Sequence, residues 1–230
     1  MKKRFSLRYK LISIFGILIL LAGVIESLLA LRSARKAVTE KIEEHLTDKA
    51  ADTAEIVDGR IATYLQLLEG ISRESILKDP TVSYQEKVRF LQNEMSSNEK
   101  IEQFNLYGLS GVRTTSDGKV VDVHDRDWFK AASAGKKFIS EPLLSRSLNK
   151  FVIILALPLY DYNNNMLGIL NCVIDAKRLS SIISDIVVGK TGECYILDKS
   201  GTTVADKDFS LVEARSNSYE ESKTDPTLKS

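Results

Sequence analysis

Apolar side chains fill almost every position from Leu11 to Leu31, and only Ser13, Ser27, Glu26 and two glycines interrupt the run. Wound as a helix, such a stretch matches the roughly 20 residues that cross the hydrocarbon of a bilayer. A cleaved signal peptide and a buried helix of a soluble domain are the competing readings. The run is longer than the apolar region of about 7–15 residues in a signal peptide, and Leu29-Ala30-Leu31-Arg32 makes a poor small-residue cleavage site. An uncleaved anchor is therefore expected, with Glu26 near its outer boundary, where a carboxylate can reach the interface.

The pattern then changes to a stripe. Between Arg32 and Leu77 there is no proline, and Val38, Ile42, Leu46, Ala50, Ala54, Val57, Ile61, Leu65 and Leu68 recur at spacings of three and four. One long amphipathic helix is predicted, roughly 70 Å long at about 1.5 Å per residue. Its apolar side chains suit both packing on the chain's own domain and a dimer seam. Ala50, Ala54 and Gly59 weaken the seam in the middle, so dimer contact is expected chiefly near the membrane. Asp79-Pro80 should stop this helix, because the residue before proline avoids the helical region. Ser83 and Glu86 have the spacing of a capping box, and Val88, Leu91 and Met95 follow on one face, predicting a short second helix that ends near Ser96-Ser97-Asn98.

Beyond Ile101 the period shortens. Phe104 and Leu106 alternate with Gln103, Asn105 and Tyr107, and Gly108–Gly111 supplies a turn before Val112-Arg113-Thr114-Thr115, which reads as an antiparallel hairpin. Two further apolar runs, Phe151–Tyr160 and Met166–Ile174, flank Asp161-Tyr162-Asn163-Asn164-Asn165 and should be the central strands of one sheet. Leu179, Ile182, Ile183, Ile186 and Val187 form a helical stripe capped at Gly189. Cys194–Leu197 and Thr202–Ala205 predict a last hairpin, and after about Val212 the chain is too polar to build a core.

Composition narrows the function classes. Lys and Arg number 32 against 31 Asp and Glu, so there is no net field to hold nucleic acid. The charge is nevertheless uneven: Lys2, Lys3, Arg4, Arg8 and Lys10 crowd the first ten residues with no acid among them, which marks a cytoplasm-facing N-terminus and leaves the rest of the chain outside. Cys172 and Cys194 lie in separate segments with no metal-binding spacing, and buried free thiols are expected.

Motifs for chemistry fail one by one. Gly108-Leu109-Ser110-Gly111 would need glycine at Val112 to be a nucleophile elbow. Gly189-Lys190-Thr191 would need glycine at Ser184 and a preceding strand to be a phosphate loop, so a helix C-cap accounts for it better. Asp122, His124, Asp125 and Asp127 could in principle hold a metal, but Asp125 as a helix cap and acids at a helix start explain them more simply. No catalytic residue, cofactor or metal site is predicted, and a membrane-tethered enzyme is the minority reading.

The segment Asp125-Arg126-Asp127-Trp128-Phe129-Lys130-Ala131-Ala132 resembles the R-x-W-[YF]-x-x-A element of the double Cache sensor family of bacterial chemoreceptors and sensor kinases. Phe138-Ile139-Ser140-Glu141-Pro142, the strand Phe151–Tyr160, the run Leu167–Leu179, and Gly189 to Asp198 resemble the family's further motifs in the family's order. The resemblance covers nearly the whole chain. It implies an α+β fold in which a transmembrane helix and a long helix support a PAS-like antiparallel sheet, the membrane-distal Cache module, followed by an incomplete second module. The expected layout is a cytoplasmic N-terminus 1–10, a transmembrane helix 11–31, the long helix 32–78, the distal module 79–188 and the start of the membrane-proximal module 189–230.

The resemblance also implies a site. In the amino-acid-binding branch of the family the Arg-x-Trp pair contacts the ligand carboxylate, and Arg126 and Trp128 stand at those positions with Phe129 beside them. A guanidinium grips a carboxylate with two hydrogen bonds and an indole donates one, so the assignment is chemically sound. The sequence departs from the pattern where a tyrosine is replaced by Val121, the ligand aspartate by Val173, and Tyr and Asp by Leu143 and Ser145. The partner of an ammonium group is missing. Asp175, two residues past Val173, is the candidate substitute by strand periodicity. The expected ligand is a carboxylate without an amine, or another small anion, and not an α-amino acid. The expected function is the extracytoplasmic small-molecule sensing portion of a methyl-accepting chemotaxis receptor in the inner membrane, homodimeric through the long helix. The sensor portion of a histidine kinase or a cyclic-dinucleotide enzyme is the alternative. With no second apolar span and no signalling domain, the chain is expected to be a fragment or a truncated product.

Overall fold

The computed structural model describes residues 7–114, 119–186 and 192–224. The chain divides into two units, residues 1–54 and 55–230. The first is part of a single helix, α1, which runs Leu7–Ser72. Its side chains from Leu11 to Leu31 are exposed, and the segment is long and apolar enough to cross a membrane. Val38, Ile42 and Leu46, the near-membrane part of the stripe, are exposed as well.

In the second unit the last turns of α1 bury Leu68 and Ile71. The helix ends at Ser72, not at Asp79-Pro80. Arg73 and Glu74 donate to Gly70 and Ile71 in tightened turns, and a separate turn of helix, α2 (Ser75–Lys78), carries Leu77 into the core beside Leu68 and Ile71. No breaker residue stands at this corner, so burial of Leu77 and not local propensity places it. The helix α3 (Tyr84–Ser96) starts on the predicted capping box: the Ser83 hydroxyl accepts from Glu86 N, and the Glu86 carboxylate accepts from Ser83 N at 3.1 Å. That arrangement holds the Glu86 carboxyl below its usual range. On the inner side of α3, Lys87 lays its ammonium on the carbonyl of Leu77 at 2.9 Å, closing the C-terminal end of α2.

The strand β1 (Gln103–Tyr107) does not form the predicted hairpin with its successor. β2 (Val112–Thr114) pairs instead with β3 (Val120–Asp122), while Thr115 of the expected hairpin lies outside the described residues. The chain leaves the sheet at Gly111, whose φ of +74° suits glycine, and a Cβ there would press on His124 N and the Phe129 ring at 3.0 Å. After β3 come α4 (Asp127–Ser133), β4 (Phe138–Ile139), β5 (Leu143–Leu144), β6 (Phe151–Tyr160) and β7 (Met166–Asp175). The two long strands are joined by the predicted Asp161–Asn165 turn, in which Asp161 accepts from Asn163 N and Asn165 N and Asn164 takes φ +64°. They form the centre of an antiparallel sheet ordered β1-β7-β6-β4, with β5 also on β6.

Both faces of this sheet are covered, which is why its strands read as continuous apolar runs. Ile153, Leu155, Leu157 and Leu159 face the helices α1 to α3 together with Phe104, Leu106, Leu170, Cys172 and Ile174. Val152, Ile154, Ala156, Ile169 and Val173 face the opposite way, onto β3 and α4. The period of two thus divides one sheet between two cores. Cys172, buried in the first core, has its thiol pushed up to about 12 by desolvation, and both cysteines are free.

The helix α5 (Lys177–Ser184) buries Leu179 and Ile183 and ends before Val187 and Gly189, which lie outside the described residues together with Lys190 and Thr191. Then β8 (Ile196–Leu197) and β9 (Thr203–Ala205) pair as predicted, followed by α6 (Phe209–Glu213), which buries Val212, and α7 (Ser218–Thr224).

Candidate ligand-binding site

The site is built on the second face of the sheet, where α4 lies across β6 and β7. Asp127 in the first turn of α4 complements the helix dipole, and Trp128, Phe129 and Ala132 point inward. The predicted cap is corrected here: Arg126, not Asp125, occupies the N-cap position, and it makes no side-chain capping bond. The Asp125 carboxylate is gripped instead by Arg146, with two bonds of 2.7 Å, while Arg146 Nη1 also donates to the Asp122 carbonyl at 2.6 Å. A bidentate charged pair outcompetes a single capping bond.

The Arg146 guanidinium holds the Asp125 carboxyl at about 2. Because the folded value lies below the usual value of about 3.9, the stabilisation is complete above roughly pH 5 and disappears as pH falls toward 2. Asp125→Asn is therefore expected to lower Tm near neutral pH and to match the parent chain by pH 2, in a thermal melt followed across that range. His124 and Asp122 bind each other at 2.6 Å, so the acids of this loop are occupied by protein partners.

Behind Arg126 lies a small cavity of about 20 Å³, room for about one water. Arg126 and Trp128 line it together. So do Val121, Leu143, Ser145 and Val173, the four positions at which the sequence departs from the amino-acid-binding pattern. Three apolar walls therefore stand where acidic and phenolic groups would be needed for an ammonium. Trp128 is 2% exposed, and its indole N–H has no partner among the described residues. The indole is wedged edge-on between Tyr107, 5.5 Å away at 60°, and Phe129, 5.9 Å away at 82°. Among the described residues the Arg126 guanidinium donates only to the carbonyl of Leu144, at 3.2 Å.

Two predicted residues lie elsewhere. Phe129 packs under Gly111 and supports the indole from behind, outside the cavity lining. Asp175 is on the same sheet face as Val173, as periodicity predicted, but at the strand end, where it accepts from Lys150 at 3.3 Å and from Lys177 N at 2.9 Å. It does not line the cavity.

Asn105 and Asn171 do line it, and sequence reasoning missed them. They are register partners on β1 and β7, and Asn105 Nδ2 donates to Asn171 Oδ1 at 3.0 Å. The signal was Asn171, a carboxamide in the middle of an apolar strand, since a buried amide needs a partner. A cleft of about 1010 Å³ between α3, β1 and β2 contains none of the predicted site residues. Arg113, on its wall, stacks on the Tyr107 ring at 5.3 Å.

The model of the Cache domain matches residues 30–229. The chain belongs to the Cache domain family. Among curated proteins it is similar to the methyl-accepting chemotaxis protein McpG of Pseudomonas putida, 22% identical over 220 residues, covering 92% of this chain and 33% of that relative. The Cache chain thus spans about one third of the relative's length. Among solved structures it resembles the ligand-binding domain of the Pseudomonas fluorescens chemoreceptor CtaA in complex with L-isoleucine, with a TM-score of 0.66 and 17% identity over 83% of this chain and 78% of that one. It also resembles the ligand-binding domain of the Pseudomonas aeruginosa amino acid chemoreceptor PctC in complex with GABA, with a TM-score of 0.63 and 19% identity over 79% and 82% of the two chains. These likenesses establish the Cache fold of the α+β sheet and its helices.

Proposed function

We propose that this Cache chain is the extracytoplasmic sensing portion of a bacterial chemotaxis receptor, anchored in the inner membrane by residues 11–31, with the basic N-terminus in the cytoplasm. Its proposed work is binding and not turnover: the Asp122–His124 pair is exposed and does not line the cavity. The exposed Val38, Ile42 and Leu46 are proposed to meet a second copy, because one face of a long helix repeats them at the spacing of a seam. The layout of residues 79–188 as the distal module and 189–230 as the beginning of a proximal one is proposed with it.

The observation that carries the ligand assignment is the unpartnered Trp128 N–H beside Arg126 in a cavity walled by Val121, Leu143 and Val173. Those donors suit a carboxylate, and no acid lines the cavity among the described residues to pair with an ammonium, so a small carboxylate lacking an amine is the proposed ligand. With room for about one water, the cavity must open for a ligand to enter. The proposed carrier of that opening is the segment of Leu143 and Ser145, because both residues also line the open chamber beside the cavity. Binding then selects the open arrangement, as any ligand with differential affinity does.

The test is calorimetric titration of the full 230-residue chain in detergent with acetate, propionate, pyruvate and lactate, and with L-alanine, L-leucine and GABA. At least one simple carboxylate is expected to bind, with affinity at least tenfold weaker in Arg126→Ala. Binding of the amino acids but not the simple carboxylates would overturn the assignment.

A further inference from the structure

Beside the small cavity, and sharing Arg126, Leu143, Ser145 and Arg146 with it, lies an open chamber of about 330 Å³ whose lining adds Asn149 and Arg215. Three guanidinium-bearing residues therefore border one space. Their charges are unequally met. Arg146 is neutralised by Asp125. Among the described residues the Arg126 guanidinium donates only to a backbone carbonyl. Arg215 has Asp198 nearby, but that carboxylate accepts from the backbone of Ser200 and Thr202 and from the Ser200 hydroxyl. Glu141 shares a neighbouring crevice with Arg215, without an ion pair between them among the described residues. Three guanidinium groups thus border the chamber, with Asp125 beside Arg126 and Arg146 and with Asp198 beside Arg215.

The backbone at Arg215 points the same way. Arg215 N donates to Val212 O at 3.1 Å and Ser216 N to Leu211 O at 3.0 Å, the paired bonds that close a helix C-terminus. The residue in that left-handed position is ordinarily glycine, yet here it is arginine at φ +52°. Asn149, at φ +51°, is on the same chamber wall. A long cationic side chain held where glycine fits better signals that the side chain itself is used.

We propose that this chamber receives a second carboxylate, so that the ligand is a small dicarboxylate or tricarboxylate held by Arg126 at one end and Arg215 at the other. The proposal rests on the inner cavity being the ligand site and adds the ligand's class. The chamber's volume is in the range of small-molecule sites, whereas the inner cavity alone holds about one water. An anion between Arg126 and Arg215 ties the end of α6 to the loop before α4.

The experiment titrates succinate, citrate and propionate, and inorganic phosphate as a control, into the full chain in detergent at low salt. Arg215→Gly is the test variant, since glycine relieves the left-handed backbone and should keep or raise Tm. Arg215→Asn serves as the second variant, asparagine also being at home there. Succinate or citrate is expected to bind at least tenfold more tightly than propionate. Both variants should erase that tenfold and leave propionate binding as it was. Equal affinity for all three carboxylates, indifferent to Arg215, would overturn the outer chamber while leaving the inner site standing. Phosphate competing with citrate at equal affinity would overturn the carboxylate class. No binding of any carboxylate would remove both readings.

Discussion

Trp128→Ala is expected to destabilise the second unit by about 3–5 kcal/mol, the cost of emptying a large buried aromatic site. The indole is 2% exposed and contacts two aromatic rings edge-on, so neither neighbour can collapse into the space without losing the other. Urea unfolding followed by circular dichroism measures this. Trp128→Phe separates packing from recognition: it retains most of the apolar volume but removes the N–H that has no protein partner. Its stability should fall by much less than that of the alanine variant, while its carboxylate affinity should fall at least tenfold. Trp128 is the chain's single tryptophan, so a carboxylate accepting from Nε1 should also change the emission of the parent chain directly.

Gly168→Ala is the second large effect expected, about 3 kcal/mol. Gly168 lies on β7 opposite Leu159, and a Cβ there would collide with the carbonyl oxygen of Tyr107. The obstacle is backbone, which has no rotamer to escape into. β1 must therefore move off β7 at the residue whose ring packs on Trp128, so ligand affinity should fall with stability. Gly108→Ala, with nothing within 4 Å of its Cβ, is the control and should change stability by less than about 0.5 kcal/mol. A Gly168→Ala chain as stable as the control would show that β1 yields freely and that Tyr107 is not held by the sheet.

Local chemistry was legible without tertiary structure. The apolar run from Leu11 to Leu31, the capping box of Ser83 and Glu86, the Asp161–Asn165 turn, the two central strands and the last hairpin each depend on neighbours in the chain, and each stands where periodicity and turn chemistry put it. The pair Arg126 and Trp128 was singled out by the family resemblance, and the structure sets both residues at the start of one helix.

What failed in the reading were choices between distant partners. β1 alternates in sequence like half of a hairpin, but its edge pairs with β7, sixty-odd residues on, and the turn at Gly111 carries β2 away to β3. Asp125 has the chemistry of a cap, but Arg146 reaches it first. Asp175 faces the same side as Val173, as a period of two requires, but Lys150 claims it at the strand end. Residue type and spacing along one strand or helix thus determined the elements and the long apolar run, and the family resemblance pointed to Arg126 and Trp128. Only the tertiary structure set Asn105 and Asn171 beside them and placed Arg215 outside, because those contacts are set by packing between distant segments and carry no period along the chain.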